Sequence, residues 1–453
     1  MNSLSSITKG KILLVFVFTI VSLLITSCGK DPIPTDEGYP FILPDTVYFP
    51  TSSQTEIITI KNSSSASQKY SITSSSTHIS ISPSTGKILA NEQSLITINI
   101  EREALMGEAT MPILTVTSGE QSKNLTVCIE KKTLLGAHVI DMEYSKATGQ
   151  IVYLGDDNTL KIYHTSTKTT DAIPLFYIPL CVSVSPDGTK AAVGHDAHVS
   201  YVDLTAKEVI STHDVSCQAY DIILCGNGWA HVCPYSGSWS HIHSIDLSDP
   251  NSVEVLCSFI TSSRICSRLH PSGKYIYVDT ENEIVKFDIQ NGAAERLYQK
   301  SLSGYKFWFS ENGDRIFSSY NKAYKVSELQ ELDITYNGTI PFSTNTQSGY
   351  YDVLWIDQSE AAKNIYLISK TSSSNEFKGT PYVYVYNSDN LTFKSKIKLE
   401  NYFIKSNGGN YKFSNAQPYY VFSKADGSEI YVVTADGGPS LPHSWAIQTI
   451  SIN

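Results

Sequence analysis

The stretch Ser183–Gly194 reads SVSPDGTKAAVG, and variants of it recur along the rest of the chain. It combines an apolar run, a polar turn around Gly188 and a second apolar run, which is the pattern of a β-hairpin. Related stretches are MEYSKATGQIVYLG at 142–155, ILCGNGWAHVC at 223–233, RLHPSGKYIYVD at 268–279, WFSENGDRIFSS at 308–319 and VFSKADGSEIYVV at 421–433. A supersecondary unit that recurs at a regular spacing predicts a repeat architecture.

The spacing of the turn glycines in these hairpins gives the length of the repeat. Five of them follow one another at intervals of 39, 40, 45 and 40 residues, namely Gly149, Gly188, Gly228, Gly273 and Gly313. The interval of 114 residues between Gly313 and Gly427 accommodates one degenerate unit, VLWIDQSEAAKNIYLIS at 353–369. The sequence therefore predicts seven units.

Each hairpin is followed by a third strand-like run, such as VSYVDLT or IVKFDIQ, and usually by a fourth, such as VEVLCSF. Four antiparallel strands in a repeat of this length are typical of a β-propeller blade. The SPDG-type turns and the run Tyr431–Thr434 resemble the YVTN and WD40-like propellers. This resemblance implies a seven-bladed β-propeller over residues 131–453.

Closure of the ring is a separate expectation. The last unit reaches Asn453 after its third strand, and an open sheet edge is a liability. We expect residues 129–135 (IEKKTLL) to supply the outermost strand of the last blade. Deletion of residues 129–136 is then expected to lower the melting temperature.

A different pattern precedes the repeat. Between residues 41 and 130, short alternating runs such as TEIITIKN, SLITINIER and NLTVCIE are separated by turn residues, which predicts a β-sandwich. The segment 82–118 resembles the immunoglobulin-like BACON modules at the N-termini of Bacteroidetes surface and periplasmic proteins. Their name implies carbohydrate binding, but many such modules resemble plain spacers. We favour the spacer because residues 41–130 contain no cluster of aromatic residues suited to sugar binding.

The N-terminus predicts export. Lys9 and Lys11 precede the apolar run Ile12–Ile25, which is too short for a permanent membrane span and fits a secretory signal peptide. Residues 25–28 (ITSC) resemble a bacterial lipobox, which implies cleavage before Cys28 and lipidation of its thiol. An ordinary secretory signal with a chance cysteine is the alternative. The expected organisation is a signal peptide at 1–27 and a flexible tether at 28–40.

The net charge of the chain restricts the classes of molecule that it is expected to bind. The formal net charge is −10, so a nucleic-acid partner is not expected, since that requires a basic footprint. Attachment to the membrane is expected through the lipid alone, and the chain is expected to be a monomer. Acidic residues after Cys28 partly resemble Bacteroidetes surface-export signals, which implies an outer-membrane lipoprotein, with the leaflet left open.

Seven cysteines follow Cys28, and most of them lie in apolar strand-like runs. The chain has no CxxC spacing, so a zinc knuckle or a thioredoxin-like motif is not predicted. We expect these cysteines to be small buried side chains. A disulfide between Cys225 and Cys233 across a hairpin is the alternative.

Aromatic residues in long loops are the candidate ligand-binding residues. Loops between second and third strands and loops between blades share one face of a propeller, and function concentrates in such loops. The candidates are Tyr235, Trp239, His241, Phe377, Asp436 and Trp445. Aromatic faces stack on the apolar faces of sugar rings. The other interpretation is that these side chains merely pack their own loops.

No metal or cofactor is predicted. His241 and His243 alternate along a strand and would need a third ligand from His195, His198 or His231 to hold a metal. Acidic residues in the short loops could instead ring the channel and hold a cation, or serve as ordinary turn residues. These acidic residues are Asp156, Asp157, Asp196, Asp279, Glu281 and Asp436.

Two functions follow from these observations. The first is a non-enzymatic binding or scaffold lipoprotein whose propeller binds a glycan, a peptide or a partner protein. The alternative is a propeller enzyme of the lactonase or lyase type, with its site at the mouth of the central channel. An enzyme predicts convergent histidine, arginine and acidic residues of perturbed pKa at the channel, whereas a binding protein predicts a wide aromatic face.

Overall fold

The computed structural model describes residues 38–51, 53–106, 111–235, 240–260, 266–280, 283–342, 351–373, 376–405, 411–436 and 444–452. The predicted signal peptide, Cys28 and most of the predicted tether lie outside these residues. Apart from one short helix, the secondary structure of the described chain is β-strand, so the all-β prediction is confirmed. Within this part of the chain, no helix is long and apolar enough to cross a bilayer.

The first unit of the fold consists of two β-sheets around one core. Its elements are β1 (Phe41–Ile42), β2 (Thr46–Phe49), β3 (Thr55–Asn62), β4 (Gln68–Ser74), β5 (Ile79–Ser82), β6 (Thr85–Ile88), β7 (Gln93–Ile100), α1 (Arg102–Met106), β8 (Ile113–Ser118) and β9 (Gln121–Ile129). The sheets have the strand orders β1-β3-β7-β5 and β2-β9-β8-β4-β6. The pair β2–β9 is parallel and the other pairs are antiparallel.

Alternation along the strands builds this core. In β7, the side chains of Ile96, Ile98 and Ile100 are buried, because successive residues of a strand point to opposite faces. They share a core with Leu114 and Val116 of the other sheet. We call these two sheets with α1 the N-terminal unit.

The strands after the N-terminal unit form seven four-stranded blades, which is the number that the repeat predicts. Blades 2 and 3 share one strand, and the short strand β10 (Thr133–Leu134), which precedes blade 1, is the fourth strand of blade 7. Blade 1 contains β11 (Val139–Ser145), β12 (Gln150–Gly155), β13 (Thr159–His164) and β14 (Thr169–Pro174). Blade 2 contains β15 (Cys181–Val184), β16 (Lys190–Gly194), β17 (Asp196–Asp203) and β18 (Glu208–Leu224), and blade 3 contains β18, β19 (Trp229–Pro234), β20 (Ser240–Asp246) and β21 (Val255–Ile260).

The other blades follow in chain order. Blade 4 contains β22 (Cys266–Leu269), β23 (Tyr275–Asp279), β24 (Glu283–Asp288) and β25 (Glu295–Ser301), and blade 5 contains β26 (Phe307–Phe309), β27 (Arg315–Ser318), β28 (Lys322–Lys325) and β29 (Thr335–Thr339). Blade 6 contains β30 (Tyr351–Ser359), β31 (Asn364–Ser373), β33 (Tyr382–Asn387) and β34 (Phe393–Lys398), with β32 (Glu376–Gly379) paired to β31. A hairpin of β35 (Tyr402–Lys405) and β36 (Tyr411–Ser414) leads to blade 7, which contains β37 (Ala416–Ser423), β38 (Glu429–Asp436) and β39 (Trp445–Ser451).

The connections between strands differ from the sequence-based expectation in two respects. β18 is one continuous strand of 17 residues that is the last strand of blade 2 and the first of blade 3. The stretch has no glycine or proline to break it, so the chain stays extended between the two sheets. The stretches 370–381 (KTSSSNEFKGTP) and 401–417 (NYFIKSNGGNYKFSNAQ) have the composition of long loops, but they contain the short strands β32, β35 and β36.

The ring closes in a mixed final blade, as predicted, but the closing strand is confined to Thr133–Leu134 within the predicted segment 129–135, because Ile129 still belongs to β9. β10 pairs antiparallel with β39, with Thr133 opposite Ile447 and Leu134 opposite Ala446. The N–H of Leu135 also donates to the carbonyl of Trp445, at 2.8 Å. The last blade therefore has the order β10-β39-β38-β37, and the outer edge of β39 is covered.

The first strands of successive blades lie side by side around the central channel, and we call them the inner strands. Where they line the channel, the inner strands have a sheet partner on one side only, and in β18 this is the part from Ala219 to Leu224, which pairs with β19. N–H groups on the other side therefore need acceptors from elsewhere. Side chains of the preceding blade supply them. The acceptor and donor pairs are Asp141 with the N–H of Val182, Glu143 with Val184, Ser183 with Leu224, Asp221 with Ser267 and Asp357 with Ser423.

Candidate functional site

The loops between second and third strands and the connections between blades meet on one side of the ring, which we call the upper face. Hydrogen bonds join the two kinds of connection directly. The N–H of Ala219, between blades 2 and 3, donates to the carbonyl of His195, in a second-to-third loop, at 3.0 Å. Of the predicted candidates, Tyr235 directly follows β19 on this face, and Asp436 is the last residue of β38.

The connection from blade 1 to blade 2 exposes apolar side chains. Phe176 is 90% exposed and Ile178 is 67% exposed. Between them, the ring of Tyr177 stacks on that of His198, with centroids 4.0 Å apart and planes inclined by 23°. Exposed apolar side chains that adjoin one another mark interaction sites more often than isolated ones do. We call residues 176–178 the apolar loop.

Buried His195 holds the apolar loop in place. Its Nδ1 lies 3.0 Å from the carbonyl oxygen of Ile178, to which the N–H donates, and its Nε2 lies 2.9 Å from Ser200 Oγ. Burial lowers the pKa of His195 below its usual value, so the neutral imidazole is favoured. The loop is therefore exposed but anchored.

Two further aromatic pairs occupy the upper face. The rings of Tyr220 and Tyr235 lie 5.9 Å apart between blades 2 and 3, and Tyr235 is 65% exposed. The rings of Tyr305 and Tyr320 lie 5.9 Å apart between blades 4 and 5, and Tyr320 is also exposed. With the apolar loop, these pairs give the upper face three aromatic clusters.

The predicted candidate residues do not all join this face. Tyr235 does, whereas Trp239 lies outside the described residues. Phe377 lies in β32, opposite Ser372 of β31, and its side chain is outside the described part. The ring of His241, in β20, contacts the carbonyl of Cys257, so it is engaged within its own blade.

Trp445 and Asp436 require a correction, because both side chains are buried. The ring of Trp445 packs in the core against His138, at 5.4 Å, and against Tyr419, at 4.5 Å. His138, from the segment between β10 and β11, and Tyr419 of β37 thus cover a side chain that the sequence places at a strand end. Neither residue presents a surface on which a ligand could stack.

The sequence interpretation missed five aromatic residues of the face, Phe176, Tyr177, Tyr220, Tyr305 and Tyr320. A signal for the first two exists. The connection Pro174–Leu180 reads PLFYIPL, in which two prolines bracket adjacent aromatic residues in a segment with no strand partner. Tyr220 gives no such signal, because it lies within the continuous strand β18.

The central channel contains the perturbed acidic groups that the enzyme alternative predicts. Burial raises the pKa of Asp141 to about 6 and that of Glu143 to about 7. Arg268 of blade 4 lies 3.8 Å from Asp221 and 5.5 Å from the ring centroid of Trp355. Each of these three carboxylates, however, accepts a hydrogen bond from the next inner strand, so they serve the ring itself.

At the opposite end of the channel, Lys146 connects blade 1 with distant blades. Its Nζ lies 3.3 Å from Glu311 of the first turn of blade 5. It also donates to the carbonyl of Gln358, at 3.0 Å, and to Ser423 Oγ, at 3.1 Å. This side chain therefore bridges blades 1, 5, 6 and 7 at the lower mouth of the channel.

The predicted metal alternatives gain no support from the geometry. Among the described residues, no group of three or more histidine, cysteine or acidic side chains is arranged to hold a metal ion. His243 pairs with Glu254 at 2.6 Å, and His231 Nδ1 lies 2.8 Å from Ser244 Oγ. The two histidines are therefore engaged separately. Glu281 lies outside the described part of the chain.

The seven cysteines in the described part of the chain are free thiols, and all of them but Cys217 are buried. The alternative of a disulfide between Cys225 and Cys233 is therefore not realised. Burial raises the pKa of Cys225 to about 12, so its thiol stays protonated. The buried cysteines act as small apolar side chains, as expected.

Comparisons with known proteins bear on the fold. No protein-family model matches the chain, and no curated protein matches it. Among solved structures, it is similar to the β-propeller domain of Cps50 (Swd1) from Myceliophteria thermophila. The two are 10% identical, the match covers 70% of this chain and 97% of that one, and the TM-score is 0.52. At this identity the likeness concerns the fold alone, and it agrees with the ring of blades described above: this chain contains a β-propeller.

Proposed function

We propose that this chain is a non-enzymatic binding lipoprotein whose propeller binds a glycan, a peptide or a partner protein on its upper face. The observation that supports this proposal best is the set of three exposed aromatic clusters, formed by the apolar loop and by the pairs Tyr220–Tyr235 and Tyr305–Tyr320. Exposed aromatic rings on a rigid scaffold provide stacking surfaces for sugars and anchors for protein partners.

The enzyme alternative receives less support. Its best argument is the raised pKa of Asp141 and Glu143 in the channel. Both carboxylates already accept hydrogen bonds from Val182 and Val184 of the next blade. Lys146 also bridges the lower mouth. These groups are explained by closure of the ring, with no need for a reaction.

The anchor and the spacer belong to the same proposal. A lipid on Cys28 would attach the chain to the outer membrane, and the N-terminal unit, an immunoglobulin-like BACON-type module, would hold the propeller away from it. The sequence around Cys28 supports the lipid. The two sheets of the N-terminal unit and their shared core are compatible with a sandwich of that type. Incorporation of labelled palmitate, lost in Cys28→Ser, tests the anchor.

A binding screen tests the upper face. The chain from residue 29 onward would be applied to a glycan array and, in parallel, used to isolate bound peptides from a peptide library. The variants Phe176→Ala and Tyr235→Ala should weaken any hit at least tenfold. Tyr336→Ala is the matched control, because Tyr336 is also 65% exposed but lies on the outer strand β29. Hits that survive both variants would exclude the upper face as the binding site.

A further inference from the structure

A cleft separates the N-terminal unit from blade 6 and the connection that follows it. Its volume is about 390 Å³. It is lined by Leu105, Met111, Pro112, Val127, Ile129, Lys131, Lys398, Leu399, Glu400, Asn401 and Phe403. This volume falls in the range of about 300–1,000 Å³ that is usual for small-molecule sites, which occur preferentially at domain interfaces.

The walls of the cleft are mainly apolar and come from both sides. Met111 of the N-terminal unit is half exposed, and its sulfur lies 3.7 Å from the thiol of Cys128. On the opposite wall, the ring of Phe403 lies 5.1 Å from that of Tyr48 and spans the junction. Methionine adapts its shape to apolar ligands because its side chain is unbranched and polarisable.

The charged side chains of the cleft differ in whether they could still bind a ligand. Glu400 is already engaged, because Lys132 Nζ lies 3.1 Å from its carboxylate and the backbone N–H of Lys131 donates to the same group at 3.2 Å. Lys398 is exposed at the rim, and its ammonium forms no ion pair with any carboxylate in the described part of the chain. The available charge at the rim is therefore positive.

We propose that this cleft binds a single-chain amphiphile with an anionic headgroup. The aliphatic chain would lie between Met111 and Phe403, and the headgroup would pair with Lys398. An apolar cavity of about 150 Å³ suffices for benzene, so a cleft of this size holds a longer aliphatic chain. The site is independent of the upper face, and either proposal stands if the other fails.

Isothermal titration with dodecanoate, kept below its micelle-forming concentration, tests this site in the chain from residue 29 onward, which retains every described residue. We expect one-to-one binding. Dodecyltrimethylammonium, which has the same tail and the opposite charge, should bind at least tenfold more weakly. Lys398→Glu should weaken dodecanoate binding at least tenfold, while Lys325→Glu, an exposed lysine of β28, should not change it.

A second variant tests the apolar wall. Met111→Asp should also weaken dodecanoate binding at least tenfold, and the half-exposed position makes the substitution compatible with folding. Circular dichroism and the melting temperature would verify that each variant is folded. Absence of one-to-one binding, equal affinity for the cationic amphiphile, or binding unchanged by both Lys398→Glu and Met111→Asp would each overturn the proposal.

Discussion

The carboxylate of Glu143 in blade 1 accepts a hydrogen bond from the backbone N–H of Val184 in blade 2, at 2.5 Å. The bond joins two neighbouring inner strands that share no sheet. Burial nevertheless raises the pKa of Glu143 to about 7, so the charged form is disfavoured in the folded protein. The carboxyl group of Glu143 therefore supplies a hydrogen-bond acceptor that joins the two strands, but its negative charge destabilises the folded protein.

Glu143→Gln should stabilise the protein at alkaline pH. In the folded protein the pKa of Glu143 is raised above its usual 4.5, so its contribution to stability is complete below pH 4.5 and is lost as pH rises through about 7. Glutamine keeps the acceptor for Val184 and has no charge to bury. At about 1.4 kcal/mol for each pKa unit, we expect the free energy of unfolding to rise by about 3 kcal/mol at pH 8 and to be nearly unchanged at pH 4.5. Urea unfolding at both pH values measures this.

Glu120→Gln is the matched control for that prediction. Glu120 is an exposed carboxylate in a turn of the N-terminal unit, so its replacement should change the free energy of unfolding by less than about 0.5 kcal/mol. A loss of stability in Glu143→Gln at pH 8 would contradict the assignment of a disfavoured charge.

His231 should make the protein sensitive to acid. Burial lowers its pKa to about 3, whereas the unfolded chain takes up a proton near pH 6.5. Stability is therefore complete above pH 6.5 and falls as pH decreases toward 3. Between pH 6 and pH 4.5, the unmodified protein should lose stability more steeply than His231→Gln. The two slopes of the free energy of unfolding against pH should differ by about 1.4 kcal/mol per pH unit. The same slope in both proteins would rule out this source of acid sensitivity.

Lys132 should hold the two parts of the molecule together. Its side chain is buried, and Nζ lies 3.4 Å from Glu130 and 3.1 Å from Glu400. Lys132→Met keeps the unbranched apolar stem of the side chain but leaves two carboxylates without their cation. We expect a loss of about 3–5 kcal/mol in the free energy of unfolding. Lys131→Met, at the exposed neighbouring position, should lose much less in the same urea titration; equal losses would count against the role assigned to Lys132.

The closing strand offers a comparison between adjacent leucines. Leu135 is 6% exposed and packs in the core shared by blades 1 and 7, whereas Leu134 is 51% exposed. Leu135→Ala should cost about 2–4 kcal/mol in the free energy of unfolding, since it leaves a cavity. Leu134→Ala should cost less than about 0.5 kcal/mol. Thermal unfolding followed by circular dichroism distinguishes them, and a similar melting temperature for both variants would refute closure by this strand.

Much of the fold could be predicted because its signals are local. The hairpin around Gly188 requires a residue that tolerates positive φ, and the observed φ is 73°. The same turn recurs in most units, so the sequence predicts the number of blades. The closing role of residues 129–135 follows from a missing fourth strand. The continuous strand β18 escaped prediction because nothing in the sequence marks where one blade ends and the next begins.

The candidate site could be predicted less well. Tyr235 is on the aromatic face, whereas Trp445 is buried. Both are aromatic residues at strand ends near long loops, and no local pattern separates them. The difference lies in their neighbours, since His138 and Tyr419 cover Trp445. Phe176, which the sequence interpretation overlooked, has no such cover.

By itself, the sequence determined the all-β architecture, the seven-fold repeat and the segment that closes the ring, and it predicts a lipid on Cys28. These depend on turn residues, strand periodicity and a short motif, which are encoded along the chain. The tertiary structure alone decided which aromatic residues are exposed, which carboxylates face the channel and where a cleft opens. Those properties depend on residues distant in sequence, such as Lys146 and Glu311, that become neighbours when the ring closes.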